Sequence, residues 1–243
     1  MARNPRTQAP LPQTPEEAWE RRAARVRAAL RQRIGSVVCV LEAVHRRHNT
    51  SAILRSCEAF GVHEVHLVSG EFRPAKGAAR GAERWLDLRL HATIEGAITA
   101  LKDRGFRVYV ADLGAEAYSP DTLPLDGPVA VVFGGEVAGI TDAARALADG
   151  ALTVPMRGLT ESLNVASAAT CALYRLAERR REALGALGDL DPDREQAFYA
   201  AWEAEEAAAR AGMEARNQLD PEDEGTPWPQ AAPPLDPAAE PGA

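Results

Sequence analysis

No stretch of this 243-residue chain is apolar for the ~20 residues that a membrane-spanning helix requires. Met1 to Pro15 is rich in Pro, Gln and Arg and lacks the apolar core of a secretory signal, so a cytoplasmic protein is expected. Cysteine is scarce. Cys39, Cys57 and Cys171 are odd in number and lack metal-ligand spacing, which argues against a disulfide framework and a structural metal. Each lies in an apolar pattern and reads as a small core residue. The dinucleotide fingerprint G-x-G-x-x-G is missing, which counts against a nucleotide-binding α/β enzyme read from the glycines alone. No repeat of solenoid type is present either.

What is present is uneven charge. The net charge of −7 would speak against a nucleic-acid partner if it were evenly spread. From Glu182 onward, however, 15 acidic residues face 3 basic ones, leaving 20 acidic and 25 basic residues before it. A basic body joined to an acidic tail is a cue for nucleic-acid binding, although a solvated helix and a solubilising tail account for it equally.

The hydrophobic pattern alternates between strands and helices. Apolar runs at Val37–Leu41, His63–Val68, Leu86–Leu90, Phe106–Ala111, Val129–Phe133 and Ala151–Val154 read as strands. Between them, helical periodicity runs from Thr50 to Gly61, Thr93 to Arg104, Asp142 to Ala148 and onward from Ser162. This predicts an α/β fold with a mainly parallel sheet sandwiched by helices. Residues 1–14 read as a disordered leader and 15–35 as a basic helix, opened by Thr14-Pro15-Glu16-Glu17. The main domain spans 36–182, a helical extension 183–217, and an acidic Pro-rich disordered tail 218–243. Ser69 to Arg84 is a Gly/Ala/basic loop too long for a plain connector.

Three places invite chemistry. Ser162-Leu-Asn164 follows a strand and a Pro/Gly turn and opens a helix, where Ser and Asn satisfy orphan N–H groups. The same arrangement suits an anionic or polar ligand. Gly134-Gly135 follows the most convincing buried strand and permits close backbone approach. Asn49 caps the helix after the first strand, and Arg55 and Glu58, three residues apart, lie within reach of one another on one face. Two arginine-rich helices stay ambiguous. Arg21, Arg22, Arg25 and Arg27 ring an apolar stripe that either docks through Trp19 or carries a phosphate-gripping arm. Arg175, Arg179, Arg180 and Arg181 either complement a helix dipole or contact phosphate.

Three segments together resemble a known pattern. His48-Asn-Thr-Ser-Ala-Ile-Leu-Arg-Ser-Cys-Glu-Ala-Phe-Gly-Val62 is similar to the first motif of the SpoU (TrmH) class of RNA 2′-O-ribose methyltransferases. Val132-Phe-Gly-Gly-Glu-Val-Ala-Gly-Ile140 resembles the second, and Val154-Pro-Met-Arg-Gly-Leu-Thr-Glu-Ser-Leu-Asn-Val-Ala-Ser-Ala-Ala169 the third, in the family's order and spacing. The likeness covers roughly residues 20–182 and is greatest to the group that methylates guanosine 18 of tRNA.

The resemblance implies a SPOUT fold with a carboxyl-terminal trefoil knot, an exception to unknotted topology. It implies S-adenosyl-L-methionine as cofactor, a homodimer with sites at its interface, tRNA as the partner, and no metal. The implied cofactor pocket is lined by Ala111, Gly134, Gly135, Val154, Met156 and Leu163. Arg55 is the implied catalytic residue, supported by Asn49, Glu136, Ser162 and Asn164. Implied RNA contacts are Arg21, Arg22, Arg25, His48, Arg73, Arg80, Arg84 and Arg180, with His45, Arg46, Arg47 and Lys76 as further cations. Ribosomal RNA or the tRNA wobble nucleotide is the alternative substrate, and an RNA-binding scaffold without turnover the alternative of another class. The resemblance implies that Arg55 removes the proton of the 2′-hydroxyl. Since an ordinary arginine is no base, either its surroundings make it one or, the reading favoured here, it orients a phosphate and stabilises an alkoxide while phosphate or water takes the proton.

Overall fold

A computed structural model of the chain describes residues 12–68, 81–114, 116–135 and 138–219, with side chains to residue 211. Six strands, β1 (Val37–Glu42), β2 (Glu64–Val68), β3 (Asp87–His91), β4 (Arg107–Ala111), β5 (Val129–Gly134) and β6 (Gly150–Leu152), make one sheet. Their order is β3-β2-β1-β5-β4-β6 and every neighbouring pair is parallel. β1 and β5 run side by side from Val37 opposite Val129 to Glu42 opposite Gly134. The helices are α1 (Pro15–Leu30), α2 (Arg47–Phe60), α3 (Ile94–Lys102), α4 (Asp142–Leu147), α5 (Val165–Leu184) and α6 (Pro192–Leu219).

Side chains alternate across a strand, so an unbroken apolar run needs cover on both faces. Val37, Cys39 and Leu41 of β1 join Val129, Val131 and Phe133 of β5 against Ile53, Leu54 and Cys57 of α2 and Ala169, Leu173 and Leu176 of α5. Val38, Val40, Ala130 and Val132 turn the other way, against Ile94, Ile98 and Leu101 of α3 and Ala144 of α4. Burying each such Val or Leu stabilises the fold by about 2 kcal/mol. The chain divides into two compact units, one to Tyr199 and one from Ala200. The sheet and α1 to α5 belong to the first. No helix among the described residues is long and apolar enough to cross a membrane.

Several expectations are corrected. Asn49 does not cap α2: the helix begins at Arg47, with Arg46 at its N-cap position and no side-chain cap. One turn in, the Thr50 hydroxyl donates to the Val44 carbonyl (3.0 Å), which stabilises the earlier start. α5 begins at Val165, not Ser162, because Asn164 is the residue that accepts from Ala166 N (2.9 Å) and Ser167 N (3.3 Å). β6 covers Gly150–Leu152 only. Cys39 and Cys57 are buried as expected, whereas Cys171 is exposed on α5. Trp19 is only half-buried, and α1 docks through Ala23, Val26 and Leu30.

The basic end of α5 is an internal tie. Arg179 donates to the carbonyls of Pro120 (2.8 Å) and Leu123 (2.9 Å). Arg180 donates to Leu125 O and to the Ser36 hydroxyl (both 2.8 Å), and Arg181 to Phe60 O (2.8 Å) and Gln32 O (3.0 Å). Loop carbonyls with no ladder partner are satisfied this way. At the amino end of β2, the fully buried Glu64 carboxylate takes hydrogen bonds from His66 (2.6 Å), Arg104 (2.5 and 2.9 Å) and Arg194 (2.7 Å). Burial alone would raise this carboxyl. The hydrogen bonds from His66 and Arg104 and the charge of Arg194 outweigh it and hold it far below the usual range.

Candidate functional site

Open parallel sheets bind ligands beyond the carboxyl ends of their strands, beside the point where strand order reverses. Here β1 and β5 flank that point, and a cleft of 510 Å³ opens there. Phe133 and Gly134 of β5 with Gly135 after it, Ala111 of β4 with the two residues after it, and Leu152 of β6 with Thr153 and Val154 beyond it form its floor and one side. Met156 and Ser162 to Val165 supply the loop before α5. All six expected cofactor-pocket residues, Ala111, Gly134, Gly135, Val154, Met156 and Leu163, line this one cleft, together with Ser162 and Asn164.

The glycines are there for space. A Cβ on Gly134 would lie 2.2 Å from Gly139 O, and one on Gly135 would lie 2.3 Å from Ala43 O. Neither neighbour can yield, because both are backbone. The chain is thereby folded tightly on itself, and Gly139 N donates to Gly135 O (2.9 Å). Ala43 itself adopts φ 51, the left-handed region that L-residues other than Gly, Asn and Asp avoid.

Asn164 joins two parts of the site. Its Oδ1 caps α5, and its Nδ2 donates to Asn49 Oδ1 (3.2 Å) across from α2. The two motifs thus meet through a neutral amide pair. Ser162 stands exposed on the cleft rim. Glu136 lies outside the described residues.

Arg55 is elsewhere on the chain. It lines a second, shallower hollow of 400 Å³ on the outer side of α2, with His48, Ala52, Ser56, Ala59 and Phe60. It makes no ion pair or hydrogen bond among the described residues. The expected Arg55–Glu58 pair is not formed. Glu58 turns instead to Arg33, whose NH2 reaches Glu58 Oε1 at 3.3 Å and whose NH1 donates to Glu58 O at 3.0 Å. Arg33 is 3% exposed and needs a counter-charge; Arg55 on the surface does not.

Of the implied RNA contacts, Arg21, Arg22 and Arg25 are exposed on α1, and Arg84 is exposed within a 3-10 turn, Ala82–Trp85. His48 lies in the hollow beside Arg55. Arg73 and Arg80, with Lys76, lie outside the described residues. Arg180 is consumed by Ser36, Leu125 and Asp189 and is withdrawn as an RNA contact.

Three charged residues of the cleft were not singled out in sequence as its lining. Arg46, just after β1, faces it without an ion pair among the described residues. Asp112 and Arg145 line the far side, joined by a 2.7 Å hydrogen bond from Arg145 Nε that holds the Asp112 carboxyl below its usual range. Their signal in the sequence was position alone, directly after a strand and inside a short helix.

Comparison with known proteins agrees with this geometry. The model of the SpoU rRNA Methylase family matches residues 36–174. The tRNA (guanosine(18)-2′-O)-methyltransferase of Thermus thermophilus is 40% identical over 190 residues, covering 76% of this chain and 97% of that one. Its namesake in Escherichia coli K12 is 37% identical over 166 residues, covering 68% and 72%. Among solved structures, the Aquifex aeolicus TrmH/SpoU tRNA modifying enzyme superposes with a TM-score of 0.71 at 27% identity, covering 78% of this chain and 98% of that one.

Proposed function

The chain belongs to the SpoU rRNA methylase family, and on that premise we propose that it is an S-adenosyl-L-methionine-dependent tRNA 2′-O-ribose methyltransferase acting on guanosine 18. The observation that carries the reading is the single cleft gathering Ala111, Gly134, Gly135, Val154, Met156 and Leu163 beside Ser162 and Asn164. Apolar walls next to a glycine turn with no room for a Cβ suit a flat adenine and an extended aliphatic chain. The carboxyl-terminal part of the domain, taken as residues 36–182, is threaded into a knot around that cleft. The helices on either side, 15–35 and 183–217, are its extensions.

When bound, S-adenosyl-L-methionine supplies a sulfonium-activated methyl group, so no metal is needed to polarise the donor. Among the described residues no group of three or more His, Cys, Asp and Glu is placed to hold one. The chain's task is to present a ribose 2′-hydroxyl in line with that methyl and to let its proton leave as the new O–C bond forms. Asn49 and Asn164, with Ser162, hold the ribose by neutral donors and acceptors. Glu136 belongs to the same set. An arginine side chain offers five N–H donors in a planar fork and no acceptor, so the role we assign to Arg55 is to hold an anion and not to take up a proton. Arg55 orients the neighbouring phosphate and stabilises the developing alkoxide, while the proton passes to phosphate oxygen or water.

Arg55 and the cleft lie in different hollows of one protomer, which supports a homodimer in which one copy's Arg55 serves the other's cleft. Affinity for RNA comes from Arg21, Arg22, Arg25, Arg46, Arg73, Arg80 and Arg84 meeting phosphates, and weakens steeply with salt. The test is methyl transfer from labelled cofactor to tRNA lacking the modification, with the product nucleotide mapped. Label at the 2′-oxygen of guanosine 18 supports the reading. Label at the wobble nucleotide or in ribosomal RNA redirects it, and binding without transfer makes the protein a scaffold. The Arg55→Lys variant, with RNA and cofactor binding intact, is expected to lose turnover by at least ~100-fold. Near-normal turnover would remove Arg55 from the mechanism.

A further inference from the structure

We infer that Glu42 is a positioning residue for the cofactor cleft, acting through Thr141; this rests on the cofactor reading of the cleft above. Glu42 closes β1, is 3% exposed, and forms no ion pair with a cation among the described residues. A carboxylate buried without a counter-ion is costly, and a strand covered on both faces has no packing need for one. Both of its oxygens go to a single residue. Glu42 Oε1 accepts from the Thr141 hydroxyl (2.6 Å) and Oε2 from Thr141 N (3.2 Å). The same hydroxyl oxygen accepts from Ala144 N (3.2 Å) and so caps α4. A chain of hydrogen bonds therefore runs from the end of β1 to the start of α4.

What lies between those points is cleft wall. Gly134 pairs in register with Glu42, and Gly134, Gly135, Gly139 and Ile140 all line the cleft. Gly139 and Ile140 sit directly on Gly134, at distances that leave no space for a methyl group. Thr141 is the next residue, and it is exposed apart from its grip on Glu42. The carboxylate thus fixes how far the Gly139–Ile140 wall stands from the floor, without touching whatever fills the cleft.

The test uses the full-length chain with Thr141→Val, Thr141→Ser and Glu42→Gln. Titration calorimetry measures Kd for S-adenosyl-L-methionine and for its demethylated thioether product. Thermal melts, tRNA Kd and steady-state kinetics are measured alongside. Thr141→Val and Glu42→Gln each remove a charge-assisted hydrogen bond. Each is expected to raise both ligand Kd values and the cofactor KM about ten-fold. The tRNA Kd, and kcat at saturating cofactor, should stay within about two-fold of wild type. Thr141→Ser keeps the hydroxyl and should restore cofactor affinity to within about three-fold. If Glu42→Gln does not fold, Thr141→Val, which alters one hydroxyl of an exposed residue, carries the test. Lower melting temperatures with unchanged cofactor Kd would make Glu42 a stability element only and overturn the inference. A loss confined to kcat would also overturn it. A wild-type protein that binds no cofactor would instead sink the functional reading, and the inference with it.

Discussion

Asn164 is asked to do two things, and a short substitution series separates them. As N-cap of α5 it accepts from Ala166 N and Ser167 N; as part of the site its Nδ2 donates to Asn49 Oδ1 at 3.2 Å. Asn164→Ala removes both, and loss of an N-cap costs about 1 kcal/mol. For a chain of this size that lowers Tm by about 2–4 °C. Asn164→Asp keeps the cap and places a negative charge at the positive end of a 20-residue helix, so stability should equal or slightly exceed wild type. It removes the Nδ2 donor, however, and sets a negative charge where a neutral amide lines the cleft. Asn164→Ser keeps a capping oxygen but is too short to reach Asn49. Stability should therefore rank Asp at or above Asn, Ser close behind, and Ala lowest. Methyl transfer to tRNA should fall in all three variants, by about ten-fold, the scale of one lost hydrogen bond at the site. Thermal melts and single-turnover rates on the same preparations decide it. If Asn164→Asp methylates at the wild-type rate, Asn164 is a helix cap and the amide pair has no part in the chemistry.

Four further perturbations probe the body of the fold and the cleft. Burial, helped by the charges of Arg33 and Arg194, pushes the His63 imidazole down to about 4, so it is neutral in the folded state. Below pH ~6.5 the unfolded chain takes up a proton that the fold refuses, so about 3 kcal/mol is present above that pH and lost by about pH 4. His63→Phe should flatten urea midpoints measured across that window, and parallel curves for the two proteins would refute the assignment. The Glu64 carboxyl, held far below its usual range, continues the loss at lower pH, and Glu64→Gln should reduce that acid-limb slope. Ala43→Gly relieves the φ of 51 and should stabilise by roughly 0.5–1 kcal/mol, whereas Ala43→Val should destabilise by more; denaturant midpoints check both. Gly135→Ala drives a methyl to 2.3 Å from Ala43 O, so cofactor affinity should fall at least ~10-fold with a loss of 1–3 kcal/mol in stability, and an unchanged calorimetric Kd would count against the cleft.

The sheet was legible because its signals are local. Val129-Ala-Val-Val-Phe133 is apolar without alternation, which has one economical explanation, cover on both faces, and α5 and α3 provide it. Thr14, Thr93 and Thr141 each precede a helix and each caps it. Where two polar residues competed for one role, local reading chose wrongly. Asn49 and Ser162 are both plausible caps in isolation, yet Asn49 is held by Asn164 from 115 residues away, and Asn164 displaces Ser162 as the cap of α5. Strand order, with β5 inserted between β1 and β4, is likewise a long-range outcome that no local period records.

The site shows the same division. Glycine spacing and the motifs identified the cleft residues, because backbone approach is written into residue type at Gly134 and Gly135. The fate of each arginine was not legible, because it depends on what lies opposite. Glu58 had two candidates, Arg55 three residues away on its own helix and Arg33 twenty-five residues away; a surface pair at i, i+3 is worth at most ~0.5 kcal/mol, whereas an uncompensated buried guanidinium costs several. The buried arginine wins. Its gain leaves Arg55 without a counter-charge on an exposed face, the condition under which a cation is open to a phosphate brought by RNA. Arg180 is the converse, an arginine in a conspicuously basic run whose donors are spent on Ser36 and Leu125. A long-range ion pair at Arg33 thus decides which arginine is left without a carboxylate, and, on the function proposed above, an Arg33→Leu chain, in which Glu58 is free to turn to Arg55, should bind tRNA more weakly while the cofactor Kd is unmoved.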